Sequence, residues 1–147
     1  MTALTTPRAR VRSAIVEQLV AHPALAGVQV DRQIPAEVAT EHVLLSTVSG
    51  TFAYRTIKAA RKQREDRFLI KVFFGAMRPG QSAEQAELRV LELFNALDDI
   101  LANDATLSLP TVRQVGVGRV EGPDVQTSTE GHVAFIEADV EVVAFLI

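Results

Sequence analysis

Apolar residues near the start of the chain recur at a helical period. Thr6 is a suitable N-cap, and Pro7 fits the first helical position, where a backbone N–H has no intrahelical partner. The pattern stops near His22-Pro23, so the sequence predicts a first helix that ends there. The residues that share one face of this helix are Val11, Ala14, Ile15 and Leu19.

A second helix has the strongest local signals in the chain. Ser82 is an N-cap residue and Gln85 stands three positions later, which is the spacing of a capping box. The apolar pattern runs to about Ala102, and Asn103-Asp104 closes the helix. The predicted apolar face consists of Ala83, Leu88, Val90, Leu91, Phe94, Leu97, Ile100 and Leu101.

Three segments before this helix have the pattern of β-strands. Residues 28–32 alternate, residues 42–48 are mostly apolar, and residues 67–74 (RFLIKVFF) are apolar enough to lie at the centre of a sheet. Ser49-Gly50-Thr51 is a turn signal, and the residues after it fit neither the helical nor the strand period. We therefore expect a long basic loop at about residues 51–66.

The last part of the chain predicts two more strands. Residues 111–121 alternate, residues 122–131 are polar and indicate a long hairpin loop, and a final strand begins at about His132. Up to Val142 the final strand alternates between acidic and apolar residues, but residues 143–147 are apolar on both faces. Those five residues need a cover, which either the domain's own helices or another subunit supplies.

The order of these elements indicates an α+β fold, a mostly antiparallel sheet with two helices packed on one face. The chain has 147 residues, 48% of them hydrophobic, which suits one domain over residues 1–147 with a core of its own. No run of apolar residues is long enough to span a membrane, and no apolar segment of a secretory signal follows Arg8, Arg10 and Arg12. We expect a soluble, cytosolic type of product.

The residues of common active sites are absent or scattered. The chain has no cysteine, which excludes a disulfide framework, a thiolate zinc site and a cysteine nucleophile. His22, His42 and His132 are far apart in sequence, and we expect each to cap an element or lie at the surface. Gly116-x-Gly118 lies in a strand pattern and indicates a bend or a close backbone approach rather than a phosphate loop. We expect no catalytic residue, no metal and no cofactor.

The charge is strongly partitioned along the chain. The net charge is −3, yet the segment from Arg55 to Lys71 has seven basic and two acidic residues, so its net charge is +5 and the rest of the chain carries −8. This segment is interpreted as an ordinary solvated loop, as a contact for nucleic-acid phosphates, or as a contact for an acidic protein surface. The last includes head-to-tail association of identical subunits, which closes into a ring when the rotation fits.

Several short segments of this sequence resemble segments of the tail terminator (tail completion) proteins of long-tailed, non-contractile bacteriophages. The similarity runs from about Pro7 to Ile147 as a pattern of elements and short phrases. It comprises the first helix (PRARVRSAIVEQLVAH), Arg32-Gln33-Ile34-Pro35, the strands HVLLSTV and RFLIKVFFGA, the helix that begins GQSAE, and the last hairpin, VRQVGVGRVEGP to EGHVAFIEADVEVVA.

The resemblance implies a structural virion protein with no active site. Subunits of this kind form a ring, usually of six copies, on the last ring of the tail tube, stop its polymerisation and join the tail to the head-completion proteins. The genome then passes through the channel without sequence-specific binding. The expected location is the tail-neck region of the virion, after assembly in the host cytoplasm, with no membrane partner.

Two segments are candidates for subunit or partner contacts. They are the basic loop and the end of the last strand, and the candidate residues are Arg55, Lys58, Arg61, Lys62, Arg64, Val143, Phe145 and Ile147. Three alternatives stay open: another neck component such as a head-completion stopper or adaptor, a nucleic-acid-binding module, and an enzyme of an unrecognised kind.

Overall fold

The computed structural model describes residues 6–57, 61–77, 80, 82–129 and 131–146. Two α-helices, a short 3₁₀ helix (Pro23–Leu25) and five strands make up this part of the chain. In chain order the main elements are α1 (Thr6–Ala21), β1 (Gln29–Asp31), β2 (Glu41–Ile57), β3 (Arg61–Ala76), α2 (Ala83–Asn103), β4 (Val112–Ser128) and β5 (Gly131–Leu146).

The strands form one sheet in the order β1-β2-β3-β5-β4. β1 is parallel to β2 and the other three pairs are antiparallel, which confirms the predicted α+β class. β3 is the middle strand, as its apolar sequence predicts. We call the end of the sheet at the pair Ile57↔Arg61 the upper end, and the end at the pair Ser128↔Gly131 the lower end.

The two helices pack on one face of the sheet. Alternate residues of β3 and β5 point toward them, from Phe68 to Ala76 and from Ala134 to Ala144, and all of these are almost fully buried. The predicted stripe of α1 is confirmed, since Val11, Ile15 and Leu19 have no exposed surface. The buried residues of α2 are Ala86, Val90, Leu93, Ala96, Leu97, Ile100 and Leu101.

One residue of the predicted face of α2 was misplaced. Leu88 is 54% exposed and lies on the outside of the helix, because the face that meets the sheet is centred on Val90, Leu93 and Leu97. The predicted start of α2 is confirmed. Ser82 Oγ accepts a hydrogen bond from the Gln85 N–H at 3.2 Å, and Gln85 Oε1 accepts one from the Ser82 N–H at 2.9 Å.

The prediction of a long basic loop at about residues 51–66 was wrong. β2 continues to Ile57 and β3 begins at Arg61, so most of this segment is a β-hairpin whose register is continuous from Val48↔Ile70 to Ile57↔Arg61. Gly50 marks close strand packing here, not a turn, because a Cβ at this position would overlap the carbonyl oxygen of Arg67. The turn predicted at Ser49-Gly50-Thr51 was therefore wrong, because the strand continues through Gly50.

The predicted polar loop at residues 122–131 was also wrong. β4 runs on to Ser128 and β5 begins at Gly131, so most of this segment is paired strand, with Ser128 opposite Gly131. The register of β4 against β5 shifts at three places, 112/114, 117/120 and 121/124, which explains why the alternation is weak in this sequence.

The three histidines make local structural contacts. His22 caps the 3₁₀ helix, with Nδ1 accepting from the Ala24 N–H at 3.1 Å. His132 Nδ1 lies 2.8 Å from Thr127 Oγ1 across the β4–β5 hairpin. His42 Nδ1 lies 2.8 Å from the Ala39 carbonyl oxygen, and its ring lies over Gly75, where a Cβ would overlap it.

A buried carboxylate joins the first helix to the central strands. Asp66 in β3 has no exposed side-chain surface, and Arg8 of α1 donates to both of its oxygens at 2.8 Å. The Arg8 guanidinium also lies over the rings of Phe52 and Phe68, 4.8 and 5.3 Å from their centroids. The hydrogen bond to Asp66 raises the pKa of Arg8, which keeps the Arg8 guanidinium charged.

The Arg8→Met substitution should lower the free energy of unfolding by about 2 kcal/mol, because it leaves the Asp66 carboxylate buried without its partner. The matched control is Arg10→Met on the exposed side of the same helix, which should change the stability by less than about 0.5 kcal/mol. Urea denaturation of both variants measures the difference. Equal stabilities would show that water or another group satisfies Asp66 as well as Arg8 does.

Candidate assembly surface

The sheet has a second face, opposite the helices, that the described residues do not cover with a helix. We call it the open face. Its residues alternate with the core positions of each strand, and it mixes charged with large apolar side chains. In the two central strands they are Arg67, Leu69, Lys71, Phe73, Phe135, Glu137, Asp139, Glu141, Val143 and Phe145.

A groove of about 580 Å³ lies at the lower end of the open face. Phe73 and Phe135 form its floor with Leu44, and the segment between β1 and β2 contributes Ile34 and Val38. Ile34, Val38 and Phe135 are 55%, 47% and 37% exposed, which is unusual for large apolar side chains that lie together. We call this depression the acidic groove, because its remaining lining includes Glu121, Asp124 and Glu137.

Hydrogen bonds hold the segment that forms one wall of the groove. Gln29 of β1 donates from Nε2 to the Glu37 carbonyl oxygen at 3.2 Å and accepts from the Ala39 N–H at 2.6 Å. His42 Nδ1 lies 2.8 Å from the Ala39 carbonyl oxygen. Polar contacts to the backbone therefore hold this wall of the groove in place.

A band of charged residues crosses the middle of the open face. Lys71 Nζ lies 2.8 Å from Glu137 Oε1, and Arg119 forms an ion pair with Glu121. The hydrogen bond to Glu137, its charge, and the charges of Asp139 and Glu121 raise the pKa of Lys71. The band separates the acidic groove from a second depression of about 380 Å³, which Thr51, Leu69 and Val143 help to line.

The β2–β3 hairpin extends beyond the rest of the sheet at the upper end. β5 pairs with β3 only as far as Arg64↔Leu146, whereas β2 and β3 remain paired to Ile57↔Arg61. We call residues 55–57 and 61–63 the basic tip. Among these residues Arg55, Arg61 and Lys62 are basic and none is acidic, so their net charge is +3.

The structure distributes the predicted contact residues over several places. Arg55, Arg61 and Lys62 lie on the paired strands of the tip, opposite Gln63, Ile57 and Thr56. Lys58 and Ile147 lie outside the described residues. Arg55, Arg61 and Lys62 are therefore on strands, whereas the sequence placed Arg55, Arg61 and Lys62 on a loop.

The other three predicted contact residues lie nearer the body of the sheet. Arg64 is half-buried, and its guanidinium lies 5.5 Å from the centroid of the Phe52 ring. Val143 and Phe145 lie half-buried on the open face, and the Arg113 guanidinium is 5.8 Å from the Phe145 ring centroid. Arg64 thus has a packing role in the subunit itself.

The acidic groove was not predicted from the sequence. A signal for it exists, because Phe73 and Phe135 occupy strand positions that alternate with the core residues and are nevertheless aromatic. Ile34 and Val38 gave no such signal, since their segment has no regular period.

Among the described residues, no group of three or more histidine, aspartate or glutamate side chains is arranged to hold a metal ion. None of the helices in the described part of the chain is long and apolar enough to cross a membrane.

No protein-family model and no curated protein matches the chain. Its structure is similar to that of a chain in the virion of a native gene transfer agent (GTA) particle, with a TM-score of 0.54. That likeness establishes the fold. It covers 91% of this chain and 93% of the other, at 16% sequence identity.

Deletion of residues 143–147 should lower the free energy of unfolding by about 3 kcal/mol or more, because Ala144 is fully buried between Asp66 and Val112. The deletion also removes the hydrogen bond from the Phe145 N–H to the Thr111 carbonyl oxygen, which is 2.8 Å long. The control is Val143→Ser, which keeps the strand and should cost about 1 kcal/mol at most. Thermal and urea unfolding of both variants test this, and an undiminished stability of the truncated chain would contradict it.

Proposed function

We propose that this chain is a structural subunit of a phage-like virion and acts there as the tail terminator. The observation that carries the proposal is the shared fold with a virion chain, which extends over nine-tenths of both chains. The similarity therefore extends over the whole subunit and is not limited to one supersecondary motif. The short sequence segments that resemble tail terminator proteins are also spread over nearly the whole chain.

The open face supports a role in assembly. It holds exposed Leu69 and Phe135 beside the ion pair of Lys71 and Glu137. A mixed surface of this kind is typical of contacts between protein subunits, in which apolar groups supply affinity and charges supply register. We infer that part of this face is covered when the subunits assemble.

The proposal implies specific partners. Copies of the chain, six in the closed form, make up a ring; the tail-tube protein contacts one side of the ring and the head-completion protein the other. The genome passes through the channel without sequence-specific contacts. In this role the chain is not an enzyme, takes no cofactor and resides in the neck of the virion.

The direct experiment mixes the purified chain with the tail-tube protein of the same particle. Light scattering of the chain alone gives its assembly state, for which a ring of six 16.0 kDa copies has a mass of about 96 kDa. Electron micrographs should show tubes of arrested length with an added ring at one end. Tubes that grow to the same length with and without the chain would refute the terminator role.

The same mixture separates the terminator from the other neck components. A stopper or adaptor binds on the head side of the neck, so it should leave growing tubes unaffected and should associate with the head portal instead. Binding to free DNA that weakens steeply with salt would favour a nucleic-acid-binding module.

Leu69→Lys should impair ring formation and tube capping, because it places a charge in the apolar part of the open face. Leu88→Lys is the matched control, since Leu88 is 54% exposed on the outside of α2, away from that face. We expect the first variant to weaken assembly by about tenfold or more and the second to leave it unchanged. Circular dichroism must show that both are folded. Equal assembly of the two variants would exclude the Leu69 region of the open face from the contacts.

A further inference from the structure

The upper part of β2 forms an edge of the sheet. β1 pairs with β2 only from His42 to Leu44, and among the described residues no strand pairs with β2 on this side beyond Leu44. On its other side β2 stays paired with β3 as far as Ile57. Residues 49–52 are exposed, which agrees with an edge that the described part of the chain leaves uncovered.

The hydrogen bonds between β2 and β3 show which backbone groups face this edge. The Met77 N–H donates to the Thr40 carbonyl oxygen at 2.9 Å, just below the pairing of these two strands. In an antiparallel pair the mutually bonded positions recur at every second residue. Counted along β3 from Met77, the bonded positions therefore include Leu69 and Arg67.

The partners of these two residues in β2 are Ser49 and Thr51, whose N–H and C=O groups therefore meet β3. Val48, Gly50 and Phe52 alternate with them, so their N–H and C=O groups point away from β3, toward the edge. This row has the two-residue spacing of an extended chain, and a further strand is able to pair with it.

The sequence of this edge lacks the usual protection against strand addition. Residues 43–54 include no charged residue and no proline, and the register with β3 is continuous from Val48 to Ile57. Sheets commonly block their edges with charges, prolines or bulges, because such edges pair with other chains. The opposite edge has such features, since β4 contains three register shifts and Pro123. The upper part of β2 is therefore the edge that suits a further strand.

A depression on the open face lies beside this edge. Its volume is about 380 Å³, and Ser49, Thr51, Leu69 and Val143 are part of its lining. Because Ser49 and Thr51 have small side chains, a large apolar side chain of a strand paired with β2 is able to pass over them toward Leu69, which is 37% exposed. In strand addition, backbone hydrogen bonds provide affinity and pockets for alternate side chains provide specificity. The depression is suited to be such a pocket.

We propose that the upper edge of β2 binds an extended segment of another protein of the virion by strand addition. The segment pairs with Val48, Gly50 and Phe52 and places a large apolar side chain in the depression beside Leu69. A second copy of the chain is a poor occupant, because its β4 edge is irregular and a pairing of β2 with β2 is two-fold and joins two copies rather than a ring. The inference rests on the proposed function for the identity of the particle, and it names how the subunit holds a partner.

Amide hydrogen exchange of the full chain tests this edge residue by residue. In dilute solution the N–H groups of Val48, Gly50 and Phe52 should exchange fast, whereas those of Ser49 and Thr51 should be protected by their bonds to β3. The tail-tube and head-completion proteins of the same particle are then added, first intact and then as overlapping peptides of about ten residues. A segment that pairs with the edge should slow the exchange of the three outward N–H groups by about tenfold or more.

Three results of this measurement would overturn the proposal. Slow exchange of the outward N–H groups in the dilute chain alone would show that this edge is already covered within one copy. Protection that appears only when the chain is concentrated would assign the edge to a second copy. Unchanged exchange with both intact proteins and with all of their peptides would show that this edge takes no strand from them.

A proline at the edge gives a second test. Val48→Pro removes one outward N–H and no bond to β3, and proline is tolerated at such edge positions. It should weaken the binding of the protecting peptide by about tenfold, because a carbonyl oxygen of the peptide then lacks its donor.

The matched control is Val48→Ala, which shortens the same half-buried side chain but keeps the N–H, and should bind the peptide as the unaltered chain does. Thermal unfolding must show that both variants are folded. Equal binding by the two folded variants would contradict the proposed pairing. The exchange measurement uses the unaltered chain, so it decides the matter even if Val48→Pro does not fold.

The outcomes separate this inference from the terminator role. Capped tubes without protection of the outward N–H groups would refute strand addition and leave the role in place. Protection without capped tubes would support strand addition and refute the role. A mixture that shows neither would refute both, and one that shows both would support both.

Discussion

The fold depends on a five-stranded sheet that has helices on only one of its faces. Because side chains alternate between the two faces of a strand, each of the long strands must place half of its residues on the face without helices. In β3 and β5 the covered half is almost wholly apolar, from Phe68 and Ala134 onward. The other half forms the open face, and its apolar groove and charged band follow from that division.

The ion pair of Arg8 and Asp66 connects this sheet to α1. A carboxylate at a helix-facing position of the central strand needs a fixed partner, and the first turn of α1 supplies it at 2.8 Å. Asp66 pairs with Phe52 and Ala144 in the neighbouring strands, so the Arg8 guanidinium meets the sheet where three strands come together. β5 stays paired with β3 for two more residues, to Arg64↔Leu146, and beyond that pair the described parts of β2 and β3 continue as the basic tip.

Sequence reasoning located the elements whose signals are local. The capping box of Ser82 and Gln85 and the alternation around Val140 were sufficient to define α2 and β5. It failed where a strand departs from a regular period: Gly50 indicated a turn although the strand continues through a close approach to Arg67, and three register shifts in β4 concealed its length. The acidic groove was missed because Ile34 and Val38 reach Phe73 and Phe135 only through the tertiary fold.

The edge strand β4 is irregular, which disfavours association through this edge of the sheet. A regular exposed edge strand would add further strands and generate fibres, whereas bulges and proline interrupt the row of backbone donors and acceptors. β4 has its three register shifts and Pro123, which has no N–H to donate. Extension of the sheet at this edge is therefore disfavoured, which suits the proposed ring, because its subunits then make contact through other surfaces. A definite rotation is the requirement for a ring of fixed size, because an imprecise contact would give open chains of variable length.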